Sequence, residues 1–394
     1  MARDQLQSRI EYYLPEFLKT LGKVVEAESP SHESKPKSDE CADILQELFE
    51  DVGFRIERIP QEMCGDDIYG EIGDGDNIAI IIGHYDTVYP IGTIERMPWK
   101  VVGDKAYGPG VLDMKGGIIM AYYGIKALKD LGLMPKGKFG IYLNGNEESG
   151  SFYSLDKIIQ KSKKYGAALI MEPGVKELGS VKIMRYGRGT YNVTIHGKGA
   201  HSGSNPHLAL SPFIELANQI YKIQKWNETE KDATFAVTVV KGGIDGTCVI
   251  PETASFTMDV RYRTEDAMKR NHERILAMRA EDDRYTLSVQ GRIDKPIMNG
   301  DKYLYKMLER IGLDYDVVLK PVISSGGSDG NFTAGSAKIA TIDGIGMSGE
   351  FLHTADEYVN VNHIVQRTAM FSRLLQALAE NADQIGRASC RERV

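Results

Sequence analysis

The sequence predicts an α/β fold: a larger domain with a largely parallel mixed sheet flanked by helices, and a smaller ferredoxin-like α+β domain inserted into it. Three observations point there. At 394 residues the chain exceeds the roughly 250–300 residues at which a single hydrophobic core stops growing. Strand-like and helical runs alternate up to Pro173 and again beyond Pro296, as in βα units. Between them, period-two runs surround two helical stretches, the texture of a sheet with one open face. The implied boundaries are 1–185 and 297–384 for the larger domain, 186–296 for the insertion and 385–394 for a non-native tail.

Taken in order, Leu6, Ile10, Tyr13, Leu14, Phe17, Leu18, Leu21 and Val24 recur at three- and four-residue steps and predict an amphipathic helix over 4–27. A second helix over 37–52 follows the polar loop SPSHESKPKS, and FRIERI, DIYGEIG and NIAIIIG read as strands. The last is apolar on both faces, as a central strand covered on two sides must be. MKGGIIMAYYGIKALKDLGL has helical spacing and stops at Gly132 and Pro135. KFGIYLNGNEESGS is a strand entering a polar loop, and a helix over 155–165 and the strand AALIMEP complete the alternation. In such a sheet, functional groups gather at the carboxyl ends of the strands.

The insertion reads β-α-β-β-α-β: RGTYNVTIHG, the helix NPHLALSPFIELANQIYKIQKW, ATFAVTVVKGG, ASFTMDVRYR, a charged helix over 265–280 and RYTLSVQGR. The α/β texture returns with KYLYKMLERIGL, DYDVVLK, AKIATIDGIG and a closing helix after Val361.

Hydrophobic residues make up 42% and charged residues 26% of the chain, an ordinary globular balance. A formal charge of −7 argues against nucleic acid or an anionic membrane surface as partner. No apolar run approaches the ~18 residues of a membrane helix, and MARDQLQSRIEYYLPEF lacks the build of a signal peptide. The expectation is a cytoplasmic protein. Cys41, Cys64, Cys248 and Cys390 show neither CxxC spacing nor the density of a disulfide framework, so reduced thiols are expected. The final IGRASCRERV breaks with the helical pattern before it and is set aside from the fold.

Five residues stand at or just past predicted strand ends: His84, Asp113, Glu148, Glu172 and His353. Imidazole and carboxylate suit zinc and related divalent ions, and a carboxylate can bridge two of them. With Asp113 as bridge, three carboxylates face two dications, and the residual positive charge lets a bridging water ionise near neutral pH. Asp86 lies two residues after His84, so on an extended backbone its carboxylate can take the imidazole N–H. Glu147 and Glu148 are adjacent and diverge, so one can hold metal while Glu147 acts as general base toward a water and the leaving amine. Taken singly, each residue has an ordinary reading. A strand-end histidine is more often packed or solvent-facing, an EE pair in a Gly/Asn/Ser loop is usually a solvated turn, Asp113 could cap the helix that follows, and Glu172 could simply end a strand.

HYDTV (84–88), GPGVLDMKGG (108–117), NEESGS (146–151), MEP (171–173), GKGAHSG (197–203), GGSDG (326–330) and LHTADEYV (352–359) resemble, in order and spacing, the M20 family of metallopeptidases. Within that family the chain is most similar to the glutamate carboxypeptidase group. The resemblance implies a catalytic domain with an inserted lid and dimerisation domain. It implies one zinc held by His84, Asp113 and Glu172 and a second by Asp113, Glu148 and His353, with cobalt or manganese as alternatives. Glu147 matches the family's general base and Asp86 the aspartate behind its histidine ligand. His201 matches a histidine that reaches the partner subunit's site in a homodimer joined through the inserted domain. Arg261 matches an arginine that receives the substrate's terminal carboxylate, a task suited to a planar five-donor group. Arg292 and Gly327 are further candidates for that pocket. Where many members carry Asn, this chain has Cys248, and a thiol replaces an amide poorly as a donor.

The implied activity is hydrolysis of the amide before a C-terminal amino acid of a small peptide or N-acyl amino acid. Two other readings stay open: a deacylase of acetyl or succinyl amino acids, and a non-catalytic dimeric binding protein on the same fold.

Overall fold

The computed structural model describes residues 2–243 and 248–385. They form two compact units. The first holds the chain up to Met184, Met298–Ser324 and the chain from Ser328; the second holds Arg185–Ile297 and Ser325–Gly327.

The first unit opens with helix α1, Ala2–Glu26, which buries Leu6, Ile10, Tyr13, Phe17, Leu21 and Val24. Helix α2, Lys35–Asp51, turns Cys41, Ala42, Leu45 and Phe49 inward. Strands β1 (Arg55–Ile59), β2 (Gly65–Ile72) and β3 (Asn77–His84) follow, then helix α3 (Gly116–Asp130) and strands β4 (Lys138–Gly145) and β5 (Ala167–Ile170). With Ala340–Ile342 they make a six-stranded sheet in the order β1, β2, β4, β3, β5, Ala340–Ile342. The two pairings on the β1 side are antiparallel; β4 with β3, β3 with β5 and β5 with the last strand are parallel.

The centre of this sheet is apolar because both faces are covered. Ile80, Ile81 and Ile82 are fully buried, each burial contributing about 1.5–3 kcal/mol. Helix α3 is buried over most of its circumference and packs against α1 and the closing helix Ile364–Glu380. Ile385 also belongs to this core; the remainder of the expected tail, 386–394, lies outside the described residues.

A second small sheet joins Lys100–Val102, Lys105–Tyr107, Tyr358–Asn360 and Gly349–Glu350. Tyr358 pairs with Tyr107, so this sheet ties the chain entering Asp113 to the chain leaving His353. DYDVVLK is mostly irregular: helix Lys302–Asp314 runs into it, and pairing begins only at Lys320 in Lys320–Ser324.

The second unit runs β6 (Gly187–His196), α4 (Pro212–Thr229), β7 (Ala233–Gly242), β8 (Thr253–Tyr262), α5 (Glu265–Leu276) and β9 (Thr286–Lys295). Its sheet order is β7, β8, β6, β9, antiparallel throughout. This connectivity and order are those of a ferredoxin-like unit. Tyr191, Val193, Ile195, Phe256, Met258 and Val260 are buried on one face, and the opposite face is polar. No helix among the described residues is long and apolar enough to cross a membrane.

Candidate metal centre

Three neighbouring parallel strands deliver side chains at their carboxyl ends. His84 closes β3, Glu147 and Glu148 follow β4, and Glu172 follows β5. Asp113 comes from a turn between the small sheet and α3. Gly110 enters that turn at φ +69°, a left-handed conformation that favours glycine, and a Cβ there would collide with Thr87. Asp113 and Met114 have non-helical dihedrals, and the N-cap of α3 is Lys115. Asp113 therefore does not cap the helix. His353 sits in the hairpin between Gly349–Glu350 and Tyr358–Asn360, itself at φ +61°.

These residues converge as two triads that share one carboxylate. His84 Nε2 lies 3.3 Å from Asp113 Oδ1 and 3.6 Å from Glu172 Oε1. His353 Nε2 lies 3.3 Å from Asp113 Oδ2 and 3.2 Å from Glu148 Oε1. The ligand-type atoms within each triad fall within 4.8 Å of one another. Each oxygen of Asp113 thus faces a different imidazole, the disposition a carboxylate needs to bridge two cations. The donor set fits such ions on a further ground. His84 Nε2 and Asp113 Oδ1 are buried without a hydrogen-bond partner; their 3.3 Å approach lacks hydrogen-bond geometry. Buried polar atoms left this way are costly unless a ligand takes them up.

The electrostatics agree. The neighbouring carboxylates of Asp113 and then Glu148 raise His353 to about 10. Burial alone would lower His84, but Asp113, Asp86 and Glu172 hold it well above the ordinary imidazole value. Burial pushes Glu148 upward, with the Asp113 charge adding and His353 opposing. Burial also works to raise Asp113, yet His353 and His84 hold it well below the usual carboxylate range. The metal-free cluster therefore retains protons that an incoming dication would displace.

Asp86 has more partners than its spacing suggested. His84 Nδ1 is 3.1 Å from the Asp86 backbone oxygen and 3.4 Å from its Oδ1. The carboxylate accepts the backbone N–H of Glu147 at 3.0 Å, that of Glu148 at 3.1 Å and the Ser31 hydroxyl at 2.5 Å. Asp86 is fully buried and connects the end of β3 to the loop after β4. Asp329, from GGSDG, secures the same loop by accepting from Asn144 at 2.6 Å and from Ser151.

Sequence reasoning passed over several neighbours. Lys182 is buried with its Nζ 3.7 Å from Glu172 Oε2, in a strand whose sequence, SVKIMR, carries no site signal. Ser31 lay in a stretch read only as a polar loop. Glu357, four residues after His353 within HTADE, is fully buried; an acidic residue that close to a candidate ligand histidine was the available signal.

The remaining candidates belong to the second unit. His201 is exposed, on a short strand whose register pairs it with Val249, and Ser202 donates its N–H to the Cys248 carbonyl at 2.9 Å, so His201 and exposed Cys248 are neighbours. His201 Nδ1 accepts the N–H groups of Gly203 and Ser204, each at 3.1 Å, which puts the ring proton on Nε2. Arg261 donates from Nε to Asp259 at 2.7 Å and from Nη1 to the Ser325 carbonyl at 3.0 Å. Arg188 is its cross-strand partner and shares Asp259 at 2.8 Å. Arg292 is more exposed and donates to Asp294 at 3.1 Å. Gly327 gives its carbonyl to Arg185 at 3.0 Å.

Comparison with known proteins gives the chain a family and relatives in sequence and fold. The profile of peptidase family M20/M25/M40 matches residues 80–377. Carboxypeptidase G2 of Pseudomonas sp. (strain RS-16) is 30% identical over 377 residues, covering 92% of this chain and 89% of that relative. Succinyl-diaminopimelate desuccinylase of Rhodopseudomonas palustris (strain BisB5) is 27% identical over 370 residues, covering 84% and 91%. In fold, the chain is similar to the YXEP protein of Bacillus subtilis, a dinuclear metal binding peptidase of the M20 family. The TM-score is 0.68 at 15% identity, covering 94% of this chain and 99% of that one. The chain belongs to peptidase family M20/M25/M40 and is a hydrolytic enzyme of the metallopeptidase class.

Proposed function

We propose that the protein is a di-zinc hydrolase that cleaves the amide bond before a C-terminal amino acid of a small peptide or N-acyl amino acid. The observation that carries this reading is the division of Asp113 between two imidazole–carboxylate triads. His84, Asp113 and Glu172 hold one ion, and Asp113, Glu148 and His353 the other. Mixed nitrogen and oxygen donors suit zinc, with cobalt and manganese as alternatives. When bound, the ions supply Lewis-acid polarisation of the scissile carbonyl and a lowered pKa for water.

The protein's own groups do the rest. Glu147, held by its backbone N–H on Asp86, takes a proton from the attacking water as the C–O bond forms and delivers it to the amine as the C–N bond breaks. Arg261 receives the terminal carboxylate; its position opposite Arg188 supports an anion site on the polar face, with Arg292, Gly327 and Cys248 as further contacts. The Nε2–H tautomer of His201 supports a donor role toward a carbonyl oxygen.

We further propose a homodimer through the second unit. Val239 and Val240 on edge strand β7, with Phe213, Ile214 and Tyr221 on α4, are exposed apolar residues of the kind that subunit interfaces cover. In that dimer His201 serves the partner's site. Mixing inactive His201→Ala and Glu147→Ala chains restores part of the activity if it does; demonstrated heterodimers without recovery sink the cross-subunit role.

A second reading, removal of an acyl group from an N-acyl amino acid, is supported by the desuccinylase relatives. Measuring kcat/KM for dipeptides with a C-terminal glutamate against N-acetyl and N-succinyl amino acids separates the two. We expect the peptides to lead; a tenfold or greater preference for the acyl compounds would establish the deacylase instead.

A further inference from the structure

Beyond the candidate metal ligands, one buried carboxylate joins two of the segments around the second triad, the Asp113 turn and the His353 hairpin, to the segment after β3. Glu357 Oε1 accepts the backbone N–H of Leu112 at 2.8 Å and that of Asp113 at 3.0 Å. Glu357 Oε2 accepts the Tyr89 hydroxyl at 2.7 Å, and the same hydroxyl lies 2.9 Å from the Thr354 carbonyl. Glu357 N–H donates to the Thr354 carbonyl at 3.2 Å, closing the turn that begins at His353. Tyr89 comes from the segment after β3 that carries His84 and Asp86. One carboxylate thus connects the His84 segment, the Asp113 turn and the His353 hairpin.

From this geometry we infer that Glu357 and Tyr89 are positioning residues: a clamp that sets Asp113 and His353 at the spacing needed to hold the second ion. The inference rests on the metal assignment above. Both oxygens of Glu357 are committed to donors, so it serves the site through Asp113 and the hairpin. The need for such a clamp is physical. His84 and Glu172 stand at the ends of buried, hydrogen-bonded strands, whereas the His353 side chain is 48% exposed on a hairpin whose flanking strand Gly349–Glu350 is two residues long. A side chain accepting two backbone N–H groups and a hydroxyl holds the turn and hairpin together before an ion arrives. Lost partners of metal ligands of this kind typically cost about 10–100-fold in affinity.

The test is metal binding, read by competition with a chromophoric zinc chelator and by zinc content after dialysis, on full-length wild type, Glu357→Ala, Glu357→Gln and Tyr89→Phe. Wild type takes up two zinc ions. Glu357→Ala loses about 10–100-fold in affinity for one ion, with a smaller change at the other. Glu357→Gln keeps an Oε1 acceptor for the Leu112 and Asp113 N–H groups, and restores most of the loss. Tyr89→Phe, at a half-buried side chain, shows an intermediate loss with its melting temperature close to wild type, and decides the matter if Glu357→Ala fails to fold. In a His353→Ala background, which holds a single ion, Glu357→Ala produces only the smaller change seen at that ion in the parent, because its hold on Asp113 is all that is left to lose. Two wild-type affinities left unchanged in both Glu357→Ala and Tyr89→Phe overturn the clamp and leave the metal assignment standing. A wild-type chain that binds no pair of ions overturns both.

Discussion

The carboxylate of Asp86 receives the backbone N–H of Glu147 at 3.0 Å and so joins the strand end that carries His84, a proposed metal ligand, to the loop that carries the proposed base. Its other oxygen takes the N–H of Glu148 and the hydroxyl of Ser31. A residue that spacing marked only as a partner of His84 is also the anchor of the β4 loop. Asp86→Ala leaves those N–H groups without an acceptor in a buried site, and we expect metal affinity to fall about 10–100-fold. Asp86→Asn, with one oxygen left, loses less. Zinc titration of the three proteins checks the order.

Glu147→Gln removes the proton acceptor and keeps the loop, whose anchoring runs through backbone N–H groups. Zinc content stays at two per chain while kcat falls by about 10²–10⁴-fold, the usual worth of a general base. Steady-state kinetics on metal-loaded protein would show this, and near-wild-type turnover would remove Glu147 from the mechanism.

Metal uptake should depend on pH with a fixed sign. In the metal-free protein His353 is raised to about 10 by Asp113 and Glu148, and burial raises Glu148, so both favour their protonated forms relative to ordinary side chains. An ion must displace those protons, and affinity therefore rises with pH, by about tenfold per unit for each proton released, until the pH passes His353's value. Calorimetry in buffers of different ionisation enthalpy counts the protons. A flat profile between pH 6 and 9 would contradict this account of the cluster.

Gly346 tests how the Glu172 strand end is held. Its N–H donates to the Glu172 carbonyl at 2.9 Å, and an added Cβ would collide with the Met171 carbonyl oxygen. Backbone cannot yield as a flexible side chain can, so Gly346→Ala should destabilise by about 1–3 kcal/mol and weaken zinc binding together. Thermal melts with and without zinc separate the two effects.

How much of this was legible in the chain follows from its physics. The buried run Ile80–Ile82 announced a central strand because a strand covered on both faces must be apolar throughout, and the candidate ligands were sought where such strands end. The small sheet escaped because strands of two or three residues, such as Tyr358–Asn360, are too short to show a period. Glu357 escaped with it: its importance lies in contacts to Leu112, Asp113 and Tyr89, more than two hundred residues away in sequence. DYDVVLK was assigned only to the returning α/β texture; Tyr315, Val317 and Leu319 are buried in the core from a segment outside any sheet.

The central claim is that two ions shared through Asp113 make this chain an amide hydrolase acting beside a terminal carboxylate. The most direct measurement is amino-acid release from a panel of dipeptides and N-acyl amino acids by protein stripped with a chelator and then titrated with zinc. The account predicts no release from stripped protein, and activity that reaches its plateau at two zinc ions per chain. Full activity in stripped protein, or two bound ions with no release from any member of the panel, would contradict it.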